Sequence, residues 1–515
     1  MATAELKPDS THTVCFGSSE PLTCEVLERL ADGACRASFS DSARDAMQRS
    51  HDTLGAARER GDAIYGLTTG FGPHVRSVAN RDSEQQGTDL IAHLGAGCGQ
   101  LASRRVARAT LAARCQTLAL GQSGINPNAA DALLAVLCRD VCPAIPEVGS
   151  VGASGDLIPL AHVARVLTGQ GRVCTHSGET EDAASALERA GLKPSRLSAR
   201  DALALVNGTA FMTAYAALAT ARADRLVRIA ESLTARAFKL IGGRDEAMDA
   251  RIHRARGHRG QIESATSIAA ALDGHRHDAS RPLQEVYSLR CAPQVLGACR
   301  DQLRYARETI ERELNGVNDN PVVCGTPDDP AVLHGGNFQG QHVAFAADAA
   351  NAAIVQVSLL VERQLAAIAN PELNGGAPLL LAWDPGATSG IAGAQITATA
   401  LAADLRRNAV PSAVASIPTN GVNQDIVSMG TMAARVCYEQ TERSANVLAI
   451  QCIALSQLQF LQRESRCSGT AAAPPSWLPH FEGFTRDRAL YDDIERIGSA
   501  LLDPAILDQV APLAA

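Results

Sequence analysis

The chain has 515 residues, 46% of them hydrophobic but only 3% aromatic, with a formal net charge of -8. That length permits two to four domains or one large helical unit. The acidic balance argues against a nucleic-acid partner or an anionic membrane surface. Fourteen scattered cysteines read as reduced, mostly buried thiols, not as a disulfide framework. Cys138 and Cys142 have no companion pair at zinc-site spacing, and His275-x-His277 lacks an obvious carboxylate or thiol partner; no metal is expected.

Met1 to Asp9 hold no apolar core for a signal peptide, and no uninterrupted run of about eighteen apolar residues occurs. A cytoplasmic protein is expected. Residues 1 to about 60 show weak helical signals broken by Gly17, Pro21 and Gly33, which suggests an N-terminal layer. Next, Ile64-Tyr65-Gly66-Leu67-Thr68-Thr69-Gly70-Phe71-Gly72-Pro73 fits neither helix nor regular strand and reads as a mobile loop. His93 and Leu94 follow in an apolar run that ends in glycines; taken alone, such a histidine reads as a core residue.

Helical periodicity returns over 101–120 and 129–140 and leads to Gly149-Ser150-Val151-Gly152-Ala153-Ser154-Gly155-Asp156. This stretch predicts a tight loop feeding a helix N-terminus, with Asp156 and Pro159 in the first turn. From about 200 the pattern predicts long Ala-rich helices over Leu203–Leu240, Arg300–Leu314, Gln341–Ala369, Ala392–Asn408 and Val427–Arg463, packed as a bundle. The basic run Arg251–Arg259 reads as a solvated loop. Three regions are expected: 1–200 carrying the loop, 201–470 as the long-helix bundle, and 471–515 as a short helical tail.

Links between the long helices concentrate amides and glycines: Asn207-Gly208-Thr209, Gln284-Glu285-Val286-Tyr287-Ser288-Leu289-Arg290, Asn318-Asp319-Asn320-Pro321, Gly335-Gly336-Asn337-Phe338 and Asn423-Gln424-Asp425. A site gathered from several helix ends needs such strings. Ala153-Ser154-Gly155 carries chemistry of its own. If the Gly155 nitrogen reaches the Ala153 carbonyl carbon, ring closure and loss of the Ser154 hydroxyl leave a methylidene imidazolone, an electrophile that no ordinary side chain supplies. A serine-hydrolase elbow is excluded, because Gly155 follows Ser154 immediately.

The whole string Gly-Ser-Val-Gly-Ala-Ser-Gly-Asp-Leu-Ile-Pro-Leu-Ala-His resembles the prosthetic-group signature of the aromatic amino acid ammonia-lyase and aminomutase family, and the other strings resemble its motifs from Tyr65 to beyond Asp425. The resemblance implies a mainly α-helical homotetramer with active sites shared between subunits. It also implies a 4-methylidene-imidazol-5-one (MIO) group made from Ala153, Ser154 and Gly155, with Asp156 assisting its formation. Tyr65 matches the catalytic base, a role that calls for a depressed phenol pKa. Asn207 matches the residue bonded to the ring carbonyl, and Tyr287 a tyrosine near the group. Arg290, with Asn320, matches the carboxylate grip; Phe338 would line the ring pocket and Gln284 the carboxylate end.

For substrate choice, family members acting on histidine carry Glu where this chain has Gln424, and phenylalanine enzymes carry an apolar residue at His93. His93-Leu94 resembles the tyrosine-type pair. A buried histidine left unpartnered costs about 1–3 kcal/mol, roughly a tenfold to hundredfold preference for a hydroxylated ring. The resemblance implies elimination of ammonia from L-tyrosine, or from L-DOPA, to give trans-para-coumarate-type products. The alternatives are a tyrosine 2,3-aminomutase, a phenylalanine or histidine ammonia-lyase, and a catalytically silent helical binding protein. Glu285-Val286 departs from the family's usual Asp followed by a small residue.

Overall fold

The computed structural model describes residues 13–506; the Met1–Asp9 stretch and the end of the tail lie outside them. In chain order the elements are β1 (Thr13–Phe16), α1 (Cys24–Ala31), β2 (Arg36–Phe39), α2 (Asp41–Arg60), α3 (Ser83–His93), β3 (Cys98–Leu101), α4 (Arg104–Ala119), α5 (Pro127–Cys138), β4 (Pro146–Val148) and α6 (Leu157–Leu167). Then come β5 (Arg172–Cys174), β6 (Thr180–Asp182), α7 (Ala183–Arg189), α8 (Ala199–Val206), α9 (Ala210–Ile241), α10 (Ala250–Arg256), α11 (Arg259–Ala271) and α12 (Tyr287–Arg290). The remainder is α13 (Ala292–Leu314), β7 (Val322–Gly325), β8 (Pro330–Leu333), α14 (Gln341–Ile368), α15 (Ala392–Arg407), α16 (Gly430–Arg463) and α17 (Tyr491–Leu501). The fold is mainly helical. The eight strands among the described residues form four two-stranded ladders, β1–β2 parallel and β3–β4, β5–β6 and β7–β8 antiparallel.

Side chains fix several helix starts. Thr23, Ser40, Ser103 and Asn126 each accept a first-turn N–H, and Ser198 and Asp201 form a reciprocal capping box on α8, satisfying donors that lack intrahelical partners. Three expectations are corrected. The helix expected over 203–240 breaks at Asn207, whose backbone is extended (φ -91°, ψ 102°). The basic run near 251–259 belongs largely to α10 and the start of α11, not to a loop. The N-terminal layer contains the parallel β1–β2 pair.

Two compact units emerge, each built from separated segments. One comprises the residues up to Leu218 with Arg307–Asp348 and Pro411–Arg435; the other comprises Ala219–Ala306, Ala349–Val410 and the residues from Val436 onward. They cut across the consecutive division at 200 and 470. In the first unit all eight residues of α8 are buried, and Leu54, Ala57, Ile64 and Val323 form a small cluster beneath the Tyr65 turn. In the second, Arg300 grips Glu231 through two bonds of 2.7 and 2.6 Å, a buried pair that needs this fork geometry to offset its desolvation. Helices α14 and α16 are long and apolar enough to cross a membrane by composition alone, yet most of each apolar window is buried inside the protein.

Candidate active site

The loop after β4 is pinned where α8 gives way to α9. Gly155 forms a parallel bridge with Gly208, and the Asp156 N–H donates to the Gly208 carbonyl at 2.7 Å. Gly155 has φ +66°, and a Cβ there would stand 2.0 Å from the Gly208 oxygen. Only glycine permits both the conformation and the approach.

Asn207, at the end of α8, donates from Nδ2 to the Ser154 carbonyl at 3.0 Å; its Oδ1 is buried and finds no partner among the described residues. Gln424 Nε2 donates to the Ser154 hydroxyl at 2.8 Å. Behind the loop, the fully buried Asp156 carboxylate accepts from the Met212 N–H at 2.8 Å, the Ser150 hydroxyl at 2.9 Å and the Thr431 hydroxyl at 2.6 Å. Burial pushes its carboxyl from 3.8 up to about 6, against the downward pull of those hydrogen bonds. Asp156 stands at the N-cap of α6 without making a side-chain cap bond, so the expected first-turn role is replaced by anchorage to α9 and α16.

Tyr65 sits on a turn rooted by the buried Ile64. Its phenolic oxygen accepts the Gly72 N–H at 2.7 Å, its own N–H donates to His334 Nε2 at 3.1 Å, and its ring stands edge-on to Phe71. Burial raises the phenol above its ordinary 10, with the Gly72 N–H pulling the other way. The depressed pKa expected of a base is therefore absent in the isolated chain, because one N–H does not outweigh desolvation.

His93 ends α3 and is exposed, which corrects both the core reading and the energetics built on burial. Its Nδ1 lies 3.0 Å from the Asp89 carbonyl oxygen. A carbonyl only accepts, so Nδ1 carries the hydrogen, and in the neutral tautomer that this selects Nε2 is an acceptor.

One cavity of about 970 Å³ brings these groups together: Tyr65, His93, Leu94, Ala153, Ser154, Gly155, Asn207, Asn320, Phe338 and Gln424 all line it. Asn320 is fixed by the Gly335 N–H donating to its Oδ1 at 2.8 Å. Gln86, Ser150, Thr419, Asn420 and Asn423 also line the cavity. Ser150 and Asn423 fall inside the strings that the sequence marks but carry no assigned role there, while Gln86, Thr419 and Asn420 lie outside those strings, although Gln86 stands two helical turns before His93.

Gln284, Tyr287 and Arg290 do not line this cavity; they belong to the second unit. There Tyr287 is 72% exposed, the Arg290 guanidinium lies 4.5 Å from its ring centroid, and Arg290 Nε is buried with no partner among the described residues. Glu285 accepts from Arg281 Nε and the Arg244 N–H, both at 2.9 Å. The longer acid at the family's usual Asp position thus ties down the strand of chain leading to α12.

The sequence profile of the aromatic amino acid lyase family matches residues 22–474. The chain belongs to that family. It is 40% identical over 496 residues to a tyrosine ammonia-lyase of Cereibacter sphaeroides, covering 92% of this chain and 94% of the relative. A histidine ammonia-lyase of Anaeromyxobacter dehalogenans is 38% identical over 507 residues, 95% of this chain and 98% of the relative. The solved structure of a tyrosine aminomutase from Streptomyces globisporus matches with a TM-score of 0.90 at 33% identity, across 97% of this chain and 100% of that one. The family is MIO-dependent and spans ammonia-lyases and aminomutases, and the chain is an enzyme of that family.

Proposed function

We propose that this protein eliminates ammonia from L-tyrosine, and from related phenolic amino acids such as L-DOPA, to give trans-para-coumarate-type products. The observation that carries the substrate is the acceptor nitrogen of His93. With Nδ1–H committed to the Asp89 carbonyl, Nε2 is available to take a hydrogen bond from a para-hydroxyl, which phenylalanine lacks. Gln424 supplies an amide where an imidazole-binding enzyme would need a carboxylate.

The Ala153-Ser154-Gly155 loop suits an MIO group. Closure between the Gly155 nitrogen and the Ala153 carbon leaves the Ser154 carbonyl as the ring carbonyl, and that oxygen already accepts from Asn207 Nδ2. The Gly155–Gly208 approach leaves room for no larger residue. When formed, the group supplies an electrophile that makes the substrate nitrogen a better leaving group. Tyr65 takes the β-proton at its phenolic oxygen, which the Gly72 N–H holds in place; in the single chain burial outweighs that N–H and keeps the phenol raised. His93 and Phe338 orient the ring, and Asn320 holds the carboxylate end. Asp156, surrounded by three donors, assists ring formation.

The working enzyme is a homotetramer with shared active sites, in which the partner subunit's Arg290, Tyr287 and Gln284 complete the carboxylate grip. The unpartnered Arg290 Nε and the exposed Tyr287 ring support this assembly. None of the fourteen cysteines is in a disulfide, which supports work in a reducing, cytoplasmic compartment. The fold match to a tyrosine aminomutase favours one second reading, a tyrosine 2,3-aminomutase that re-adds ammonia at the β-carbon. Incubation with L-tyrosine and chromatographic separation of products decides: coumarate with stoichiometric ammonia is expected, and accumulation of β-tyrosine would replace the lyase by the aminomutase.

A further inference from the structure

Two of the amides that line the cavity, Asn207 and Asn320, have their backbones held from behind by guanidiniums that do not line it. Arg200, near the start of α8, donates to the Ser123 and Asn320 carbonyls at 2.5 and 3.1 Å and to Asp319 at 2.7 Å. Arg114, on α4 and fully buried, reaches the other end of the same helix. It donates from Nε to the Ala204 carbonyl at 2.9 Å, from Nη2 to the Asn207 carbonyl at 3.0 Å and from Nη1 to Asn318 Oδ1 at 3.2 Å, and lies 3.6 Å from Asp319. The last carbonyls of a helix lack intrahelical partners and carry the negative end of its dipole, so a cation placed there is stabilised. A planar fork can hold two such carbonyls at once, while an ammonium is a single point donor.

The consequence falls on Asn207. Its carbonyl is taken by Arg114 while its side-chain amide points to the Ser154 carbonyl, so one residue is clamped between the fork and the loop. Gly208 leaves the fork its space: a Cβ there would stand 2.2 Å from Arg114 Nη1. Asp319 pairs with both guanidiniums, and Glu313 accepts from the Thr209 hydroxyl. Asp319 thus faces both guanidiniums, and the fork acts on Asn207 through geometry.

We propose that Arg114 is a positioning residue for the reaction: its guanidinium fork fixes the Asn207 backbone and thereby aims the Asn207 amide at the Ser154 carbonyl. This rests on the reading of Ala153-Ser154-Gly155 as the source of the electrophile.

The test uses the full chain with L-tyrosine and compares Arg114→Lys and Gly208→Ala, each alone and combined with Asn207→Ala. Each single change is expected to lower kcat roughly 10- to 100-fold, the scale of a misplaced catalytic contact, with KM moving less than about threefold. The near-UV absorbance of the conjugated ring should fall or shift. On the Asn207→Ala background either change should cost less than about twofold, since residues acting through one another are non-additive. Wild-type kcat in both single variants would overturn the proposal, as would losses that multiply fully in the double variants. Failure of both single variants to fold would mark the cluster as a fold element alone and would also overturn it. An unmodified mass in active wild-type protein is a different outcome, which removes the functional reading itself.

Discussion

The loop from Gly149 to Asp156 and the segment from Gln284 to Arg290 both carry dense strings of functional residue types, and the fold treats them in opposite ways. In the first, Ala153, Gly155 and Asp156 are buried, and the Asp156 carboxylate has three donors. The Ser154 carbonyl and hydroxyl are each met by an amide. In the second, Tyr287 is exposed and Arg290 has an aromatic face beside it and a buried, unpartnered Nε. Chemistry carried out on the backbone itself requires atoms held in place before any substrate arrives, and a single chain over-determines that region. Gripping a substrate can be left to groups completed from elsewhere. Tyr65 falls between the two: its phenolic oxygen accepts the Gly72 N–H, but burial outweighs that bond and raises the phenol.

The largest effect that would break this contrast is at Ser154. Intact wild-type protein should weigh less than its sequence by two waters, while Ser154→Ala should regain at least one water's mass and drop to the assay floor, its fold intact by circular dichroism. An Ser154→Ala variant with measurable turnover would show that the over-determined loop is only structural. Tyr65→Phe comes next: it removes one oxygen and should cost 10²–10⁴-fold or so in kcat, leaving the melting temperature within a few degrees. Near-normal turnover would move the base elsewhere.

A smaller effect belongs to Asp156. Its carboxyl titrates at about 6 when folded against 3.8 ordinarily, so the folded state holds its proton over a range in which the unfolded state has lost it. The stability contribution is therefore greatest below about pH 4 and declines as pH rises to about 6, by roughly 3 kcal/mol in all. Denaturation of wild type and Asp156→Asn at several values between pH 4 and 7 checks this. The difference between the two curves should change with pH in that window, and a constant difference would show that the carboxyl is not perturbed.

The smallest effect is at His93. Because the ring is exposed, little unsatisfied-group penalty accompanies phenylalanine, and the tyrosine preference reduces to the net worth of one hydrogen bond, about 0.5–1.5 kcal/mol. His93→Phe should shift the tyrosine-to-phenylalanine ratio of kcat/KM roughly three- to tenfold toward phenylalanine. An unchanged ratio would leave the tyrosine assignment without its main support.

Much of this was legible in the linear chain, because it rests on local chemistry. The Ala153-Ser154-Gly155 string, the amide-rich links and the long apolar helices follow from residue types and short-range periodicity. The helix starts at Ser40, Ser103 and Asn126 follow from side chains that cap within three residues. What the linear chain left open depends on which distant groups meet. Asp156 was placed by sequence in a first turn, but its partners Met212 and Thr431 lie 56 and 275 residues away, and burial among them sets its titration. His93 is legible as a selectivity residue through its likeness to the tyrosine-type pair, but its exposure and the direction of its Nδ1 hydrogen bond are set by the fold. Arg114 is one of four arginines on the Ala-rich α4, and only packing brings it to the end of α8, 90 residues along the chain. Local sequence determines which conformations and chemistries are available, while hydrogen-bond partners and desolvation are properties of contacts between remote segments, and those exist only once the chain has folded.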